Sequence, residues 1–111
     1  MSSDQPIFEI NQKIFNAQSM SVSLTSVTID IAELPGYAVH AIWTGSPVGT
    51  INVNASNDSV NFVSVASQAA GGSNGQFLLN TEVAHYRWLQ VTYTATSGTG
   101  SLTTYVSAKR S

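Results

Sequence analysis

The sequence predicts an all-β fold, a single antiparallel β-sandwich with a jelly-roll-like arrangement. Apolar residues alternate with serine, threonine or asparagine along most of the chain, which places one row of side chains in a core and the other in water. Turn-forming residues recur about every ten positions, and no stretch shows the longer period of a helix. A chain of 111 residues also fits one domain and one core.

The first part of the chain leaves its structure open. Its apolar residues, among them Phe8, Ile14 and Phe15, fit a strand, a short helix or an arm that lies on a neighbouring subunit. An arm would explain why large apolar side chains precede the alternating region. We therefore divide the chain into an N-terminal arm or first strand at 1–18 and a β-sandwich domain at 19–111.

The first strands of the domain are read from clean alternation. Residues 20–24 alternate large apolar residues with serine, and 27–31 alternate again after a Thr-Ser break. Pro35 and Gly36 then predict a turn, because proline presets one backbone angle and glycine tolerates conformations that other residues avoid. A longer strand is predicted at 37–43.

The next two strands are predicted to pair as a hairpin. Gly-Ser-Pro at 45–47 is a short connection with turn chemistry, and 49–56 alternates as 37–43 does. Asn-Asp-Ser at 57–59 is another turn, since Asn and Asp side chains can bond their own backbone. The alternation resumes at 60–65.

A second hairpin is predicted at the end of the chain. Residues 86–95 form the longest alternating run, and Thr-Ser-Gly-Thr-Gly at 96–100 is a turn that folds it back onto 101–108.

Between these hairpins, residues 68–75 contain three glycines and no large apolar anchor. This composition predicts a mobile surface loop, the kind of segment that often carries recognition on a rigid scaffold. Gly71, Gly72 and Asn74 are its candidate contact residues.

The composition excludes several classes of partner. Only 9% of residues are charged, the formal net charge is -2, and Lys and Arg total four, so the chain lacks the basic field that binds nucleic acid or anionic lipid. Few charges also mean little mutual repulsion, which favours self-association or a place in a larger assembly. No stretch approaches the ~20 apolar residues of a membrane span, and no secretion signal precedes the domain. Without cysteine, stability must come from the core or from subunit contacts.

The sequence offers little for catalysis or for a metal. His40 or His85 could join one of many serines in a hydrolytic triad, but no Gly-x-Ser-x-Gly motif is present. The same histidines with Asp58 or Glu82 show no spacing specific to metal ligands. Gly98-Thr99-Gly100 lacks the lysine and the helix of a phosphate-binding loop. We expect no enzymatic activity, no metal and no cofactor.

The aromatic residues are mostly expected to pack in the core or across strands. Trp88 is the exception, because Leu89, Val91 and Tyr93 claim the core-facing side of the same strand and leave Trp88 on the other. An exposed tryptophan beside Arg87 can serve a subunit interface or a sugar platform, and the low charge content favours the interface.

Four motifs in order resemble a recurrent β-sandwich domain of bacteriophage virion proteins. They are Trp-Thr-Gly-Ser-Pro-Val-Gly at 43–49, Ser-Asn-Asp at 56–58, Tyr-Arg-Trp at 86–88 and Thr-Ser-Gly-Thr-Gly at 96–100. The resemblance covers roughly residues 27 to 109. It implies a non-enzymatic part of the particle, a capsid decoration or head-tail component made in the host cytoplasm and located in the virion.

The turn at 56–58 and the Tyr86-Arg87 strand are also similar to discoidin-type jelly-roll domains, which bind glycans or lipid surfaces through loops at one end. This chain departs from that pattern, with Phe62 where those domains commonly have a tryptophan and with no paired cysteines. The likeness therefore implies the architecture and no ligand site.

Asp58 and Arg87 are expected to have structural roles. Asp58 is suited to accept hydrogen bonds from the backbone of its own turn, and Arg87 to pair with Asp58 or Glu82 across the sheet. When one partner of a half-buried pair of this kind is removed, the fold is strongly destabilised. On this basis Arg87→Ala is expected to give poorly soluble protein.

The leading hypothesis is a virion structural protein that packs as a homo-oligomer, for example a trimer, and against other virion proteins such as a major capsid protein. Its contact candidates are Phe8, Ile14, Phe15, Trp88, Gly71, Gly72 and Asn74. The alternative is a carbohydrate- or surface-binding sandwich module, with a glycan stacked on Trp88, Tyr86 or Trp43.

Overall fold

The computed structural model describes residues 9–31, 36–81 and 86–109. In these ranges the regular structure consists of strands, and no helix there is long and apolar enough to cross a membrane. The strands are β1 (Glu9–Ser19), β2 (Leu24–Thr25), β3 (Ile29–Asp30), β4 (Gly36–Gly45), β5 (Val48–Ser56), β6 (Val63–Gly71), β7 (Gly75–Thr81), β8 (Trp88–Ser97) and β9 (Gly100–Lys109).

Two antiparallel sheets pack face to face, which confirms the predicted all-β sandwich. One sheet has the strand order β1-β9-β4-β7. The other has the order β2-β8-β5-β6, and β3 also pairs with β8, so that β2 and β3 together form one interrupted edge. Most consecutive strands lie in different sheets, and of the connections between described strands only β2 to β3 and β5 to β6 stay within one sheet.

Both predicted hairpins are wrong in their pairing. β4 pairs with β9 and β7, whereas β5 pairs with β8 and β6 of the opposite sheet. At the end of the chain, β8 and β9 likewise lie in different sheets. The turn residues were read correctly as the ends of strands, but each turn carries the chain from one sheet to the other.

The reason lies in where the backbone groups of these corners bond. The amide of Ser46 donates to the carbonyl of Thr99 at 2.8 Å, and the amide of Gly72 donates to the carbonyl of Pro47 at 2.7 Å. The corners therefore bond to one another rather than across a hairpin. Pro47 is fully buried at this end of the sandwich. Gly98, with φ +81°, passes so close to Ser46 that a Cβ would lie 2.1 Å from its carbonyl oxygen.

The core lies between the sheets and is formed by alternate residues of the long strands, as the sequence predicted. On β8, Leu89, Val91 and Tyr93 are buried and Trp88 points to the other face. The buried apolar residues are Phe15, Met20, Ile29, Ile31, Tyr37, Val39, Ala41, Trp43, Ile51, Val53, Ala55, Ala70, Leu89, Val91, Tyr93, Leu102, Val106 and Ala108.

The N-terminal residues that the structure describes belong to the sandwich itself. β1 runs antiparallel along β9, with register irregularities between Lys13 and Phe15 and again before Gln18. The extra residue at the first irregularity lets Phe15 turn into the core, where it is 5% exposed, while Ile14 packs against the core from the edge. Phe15 is therefore not a contact residue of a free arm. Phe8 lies outside the described residues.

Candidate functional site

The outer face of the five-stranded sheet presents mainly hydroxyl and amide groups. Opposite residues on its two central strands are Gln90 with Asn54 and Thr92 with Asn52. The Asn54 side-chain amide donates to the Thr92 hydroxyl at 3.2 Å. This face can offer neutral hydrogen bonds to another surface, and its two central strands contribute no charged side chain to it.

An ion pair and an indole lie at one end of this outer face. The Arg87 guanidinium donates from Nε to Asp30 Oδ1 at 3.2 Å and from Nη2 to Asp30 Oδ2 at 3.1 Å. It also lies over the Trp88 ring, 4.8 Å from the ring centroid. The Asp30 carboxylate raises the pKa of Arg87, since it stabilises the charged guanidinium. Trp88 is half-buried, and one face of its ring is already covered by a cation.

The expected pairing of Arg87 with Asp58 is therefore wrong. Asp30 is the strand neighbour of Trp88, so the guanidinium that lies over the indole meets the carboxylate of the adjacent strand. The pair is also exposed, with 55% and 43% of the two side chains accessible, so its loss leaves no charge buried. Glu82, the other expected partner, lies outside the described residues.

Asp58 accepts hydrogen bonds within its own turn. Its carboxylate accepts from the backbone amides of Asn61 at 2.7 Å and Val60 at 2.9 Å, and from the side chains of Asn61 and Ser56. The Asn61 and Val60 amides and the two side chains lower the pKa of Asp58 well below its ordinary range. The turn also holds the start of β8, because the Arg87 amide donates to Asn57 Oδ1 at 3.1 Å.

The predicted mobile loop is a short and firmly bonded corner. β6 extends to Gly71 and β7 begins at Gly75, so only three residues connect them. The Trp43 indole donates to the carbonyl of Ser73 at 3.0 Å, and Asn74 Oδ1 accepts from the amide of Gly45 at 2.7 Å. Asn74 is thus occupied by its own chain. Trp43 is only 4% exposed and is not a sugar platform.

A pair of tyrosines lies at the end of the sandwich opposite the corner between β6 and β7. The hydroxyls of Tyr37 and Tyr86 are hydrogen-bonded, and their rings meet edge to face with centroids 6.1 Å apart. Burial, the Tyr37 hydrogen bond and the nearby Tyr37 hydroxyl together raise the pKa of Tyr86 above its ordinary value. Tyr86 is half-buried, so its hydroxyl is committed to the fold and only part of its ring is accessible.

One lateral side of the sandwich is uncharged and partly apolar. It is formed by β6, the edge of one sheet, and β7, the edge of the other. No ionisable side chain and no proline occurs from Ser59 to Thr81. Val63 and Leu78 in these strands are 69% and 64% exposed, and Val60 just before them is 77% exposed. We call this surface the neutral side.

The titratable residues that the structure describes are not gathered at one place. His40 lies on the outer face of the four-stranded sheet, where its Nε2 is hydrogen-bonded to Gln76 Oε1 at 2.9 Å, whereas Asp58 lies in the turn that follows β5 of the other sheet. In the described ranges no cluster of three or more His, Cys, Asp or Glu residues could hold a metal ion. His85 lies outside these ranges.

The comparisons with known proteins support the fold. No protein-family model matches the sequence, and a search of the curated proteins gives no match. Among solved structures, the SPBc2 prophage-derived protein YomS is similar with a TM-score of 0.57 at 9% identity, over 96% of this chain and 99% of that chain. PirA gives 0.54 at 16% identity over 94% and 97%. A chain of the Bacillus endospore appendages, which form disulfide-linked pili, gives 0.52 at 14% identity over 100% and 96%. At these identities the likeness establishes the shared architecture alone.

Sequence reasoning missed the neutral side and the partner of Arg87. The neutral side had a signal, because a run from Ser59 to Thr81 without charge or proline is unusual in a chain that must protect its strand edges. The sequence gives no signal for Asp30 as the partner of Arg87. That contact depends on the pairing of β3 with β8, two strands that lie far apart in the sequence.

Proposed function

We propose that the protein is a non-enzymatic structural component of a bacteriophage particle, a capsid decoration or head-tail part that packs against copies of itself and against other virion proteins such as a major capsid protein. The protein would be made in the host cytoplasm and located in the virion. The order of the sequence motifs supports this proposal. So does the fold shared over nearly the full length of both chains with a prophage-derived protein.

The observation that carries the proposal is the neutral side. Surfaces that pack permanently against other proteins are depleted of charge and enriched in apolar groups at their centre. The neutral side combines exposed valine and leucine with serine, glutamine and asparagine and has no ionisable group. A protein that works alone in solution usually protects such strand edges with charge or proline.

The strand order also favours a building block. Most successive strands alternate between the sheets β1-β9-β4-β7 and β2-β8-β5-β6, an order that supports a jelly-roll topology. Jelly rolls recur in capsid and lectin domains, so the topology agrees with the proposal without deciding between assembly and ligand binding.

The test is the location of the chain in a purified particle. Particles of the phage that encodes it would be purified by density gradient, analysed by mass spectrometry and labelled with an antibody against the chain. We expect the chain in stoichiometric amounts and the label at regular positions on the head or at the head-tail junction. Particles that lack the chain, with all of it free in the lysate, would overturn the proposal.

A second function, carbohydrate binding, is favoured by the outer face of the five-stranded sheet. Sugar sites combine an aromatic surface with a few neutral hydrogen-bonding groups. Trp88 lies at the end of the outer face that contains Gln90 and Asn54. A glycan-array signal that Trp88→Ala abolishes and Tyr105→Ala, on the other sheet, preserves would support this function. A signal equally reduced by both variants would exclude this face.

A further inference from the structure

Among the strands that the structure describes, the two edges on the neutral side, β6 and β7, carry neither a charged residue nor proline. Within the described residues β6 pairs with β5 alone and β7 with β4 alone, so each has a row of backbone amides and carbonyls turned away from its sheet. Such a row is a template for another strand. Natural proteins protect these rows with lysine, proline, bulges or very short strands.

The opposite side of the sandwich has such protection. There β1 carries Lys13 and two register irregularities, which interrupt the regular spacing of its backbone groups. β2 and β3 are two residues each. Between them the Ser26 side chain accepts from the amide of Val91 at 2.8 Å in place of a backbone partner. On the neutral side β6 has one irregularity near its start, and Gln68 Nε2 donates to the Ala69 carbonyl at 3.1 Å, a side-chain bond that the amide of a partner strand can replace. Within the described residues β6 and β7 carry no lysine and no proline, so they are the more open pair of edges for pairing.

β6 is the better of the two edges for a second chain. Its irregularity lies near its start, between the pairs of Val53 and Asn54 with their partners, so residues 66–71 form a regular run. The side chains of this run are small except for Gln68, and Ser67 and Ala69 are exposed on the outer face. On β7 the exposed outward residues are Gln76, Leu78 and Asn80, all with larger side chains, and Leu78 lies opposite His40. A partner strand can approach β6 closely without displacing large side chains.

We infer that β6 pairs antiparallel with β6 of a second copy, about a two-fold axis near Gln68, so that the five-stranded sheets of two molecules become one continuous sheet. A two-fold contact requires a surface complementary to itself. An uncharged strand meets this requirement, because each side chain meets a neutral neighbour. Ser67 would lie opposite Ala69 of the second copy and the two Gln68 amides opposite each other.

The occupant is a second copy rather than an unrelated chain because of this self-complementarity. A charged partner would find no side chain of opposite charge on β6, whereas an identical strand matches β6 in length, polarity and side-chain size. The inference deepens the proposed assembly role and rests on it only in that the protein works in contact with copies of itself. It favours a dimeric unit over the trimer suggested by the sequence.

Matched lysine variants test the contact. Ala69 and Thr94 lie in one row of the outer face, each opposite Thr50, but Ala69 is on the edge strand and Thr94 on the central strand β8. Sedimentation equilibrium should show a dimer for the wild-type chain. Ala69→Lys should raise its dissociation constant about tenfold or more, since it places two like charges across the two-fold axis. Thr94→Lys should leave the constant unchanged.

Single cysteines locate the axis in the same protein. The chain has no cysteine of its own, so a disulfide dimer reports only the introduced residue. Cysteine placed in turn at positions 66 to 70 should give oxidised dimers most efficiently at position 68, which faces itself across the axis, because a disulfide needs Cα atoms about 5.5 Å apart. Ser107→Cys, exposed on the four-stranded sheet, is the control and should form no disulfide-linked dimer.

Three results would overturn the inference: a wild-type monomer at the highest soluble concentration, equal dissociation constants for the two lysine variants, or efficient crosslinking at position 107 and none on β6. Circular dichroism confirms that each variant is folded, and Ser67→Lys replaces Ala69→Lys if that variant is not.

A monomer in solution that is nevertheless found in particles would refute the β6 contact and keep the virion role. A β6 dimer absent from particles would do the reverse.

Discussion

Three glycines of the corners offer a graded test of why the chain needs glycine there. Gly71 has an ordinary backbone conformation, and a Cβ at this position would lie in open space. Gly72 has φ +91°, with its nearest neighbour, Val48 Cγ2, at an ordinary 3.8 Å. Gly98 has φ +81° and would place a Cβ 2.1 Å from the carbonyl oxygen of Ser46. Replacing each by alanine separates entropy, backbone strain and steric overlap.

The expected magnitudes follow from these three environments. Gly71→Ala should stabilise the fold by about 0.5 kcal/mol, because alanine reduces the freedom of the unfolded chain. Gly72→Ala should destabilise it by about 1 to 2 kcal/mol, the penalty of a left-handed conformation for a residue with a Cβ. Gly98→Ala adds an overlap that only a movement of the backbone can relieve, so we expect a loss of about 4 kcal/mol or more. That is a large share of the roughly 5 to 15 kcal/mol typical of such domains.

Urea and thermal unfolding, followed by circular dichroism at one fixed protein concentration, measure the three free energies. Concentration is held constant because association of the folded state would shift the apparent stability. In melting temperature, the loss for Gly98→Ala corresponds to a fall of roughly 15 °C or more.

The order of the three variants carries the reasoning. A Gly98→Ala protein that melts within about 2 °C of the wild type would show that the corners at Ser46 and Gly98 do not approach each other as described. Equal losses for Gly72→Ala and Gly98→Ala would show that backbone strain, and not the close approach, requires glycine in the Thr-Ser-Gly-Thr-Gly motif.

Four further outcomes are expected. Tyr93→Phe and Thr104→Val should each raise the free energy of unfolding in urea by about 1 kcal/mol, because both buried hydroxyls lack a hydrogen-bond partner among the described residues; destabilisation would reveal one. Burial raises the pKa of Tyr93 above 10.0, so the wild type should lose stability as pH rises beyond that value, and Tyr93→Phe should lose less. Arg87→Ala should remain soluble and melt within a few degrees of the wild type, since its pair with Asp30 is exposed; aggregation would restore the opposite expectation. Asp58 has a pKa held below its ordinary 3.8, so its contribution is present above that pH and is lost on further acidification; Asp58→Ala should flatten the acid limb of a stability-pH curve.

Local pattern was enough to predict the strands and their faces. Alternation on β8 identified Leu89, Val91 and Tyr93 as core residues, because the two-residue period of a strand is fixed by backbone geometry. The role of Asn57-Asp58-Ser59 as a turn was also predictable, since the Asp58 side chain bonds backbone amides two and three residues away.

Which strands pair could not be predicted in this way. Gly45 and Pro47 suit a hairpin and a crossover between sheets equally well, because both require only a sharp reversal of the chain. The choice depends on distant groups, among them the carbonyl of Thr99 that accepts from Ser46. The same holds for Phe15, whose burial requires a bulge on β1 opposite β9.

The position of β9 bears on how the protein acquires its structure in the cell. Although β9 is the last strand in the chain order, it lies between β1 and β4 and joins them. During synthesis β1, whose partner is β9, must therefore wait for it, whereas β4 can already pair with β7, and β5 with β6 as neighbours in sequence. Such distant pairing folds slowly, and the exposed β6 edge would form before the sandwich is complete. When many chains are synthesised close together, incomplete molecules would therefore risk associating through β6, the same strand that we infer to join finished molecules.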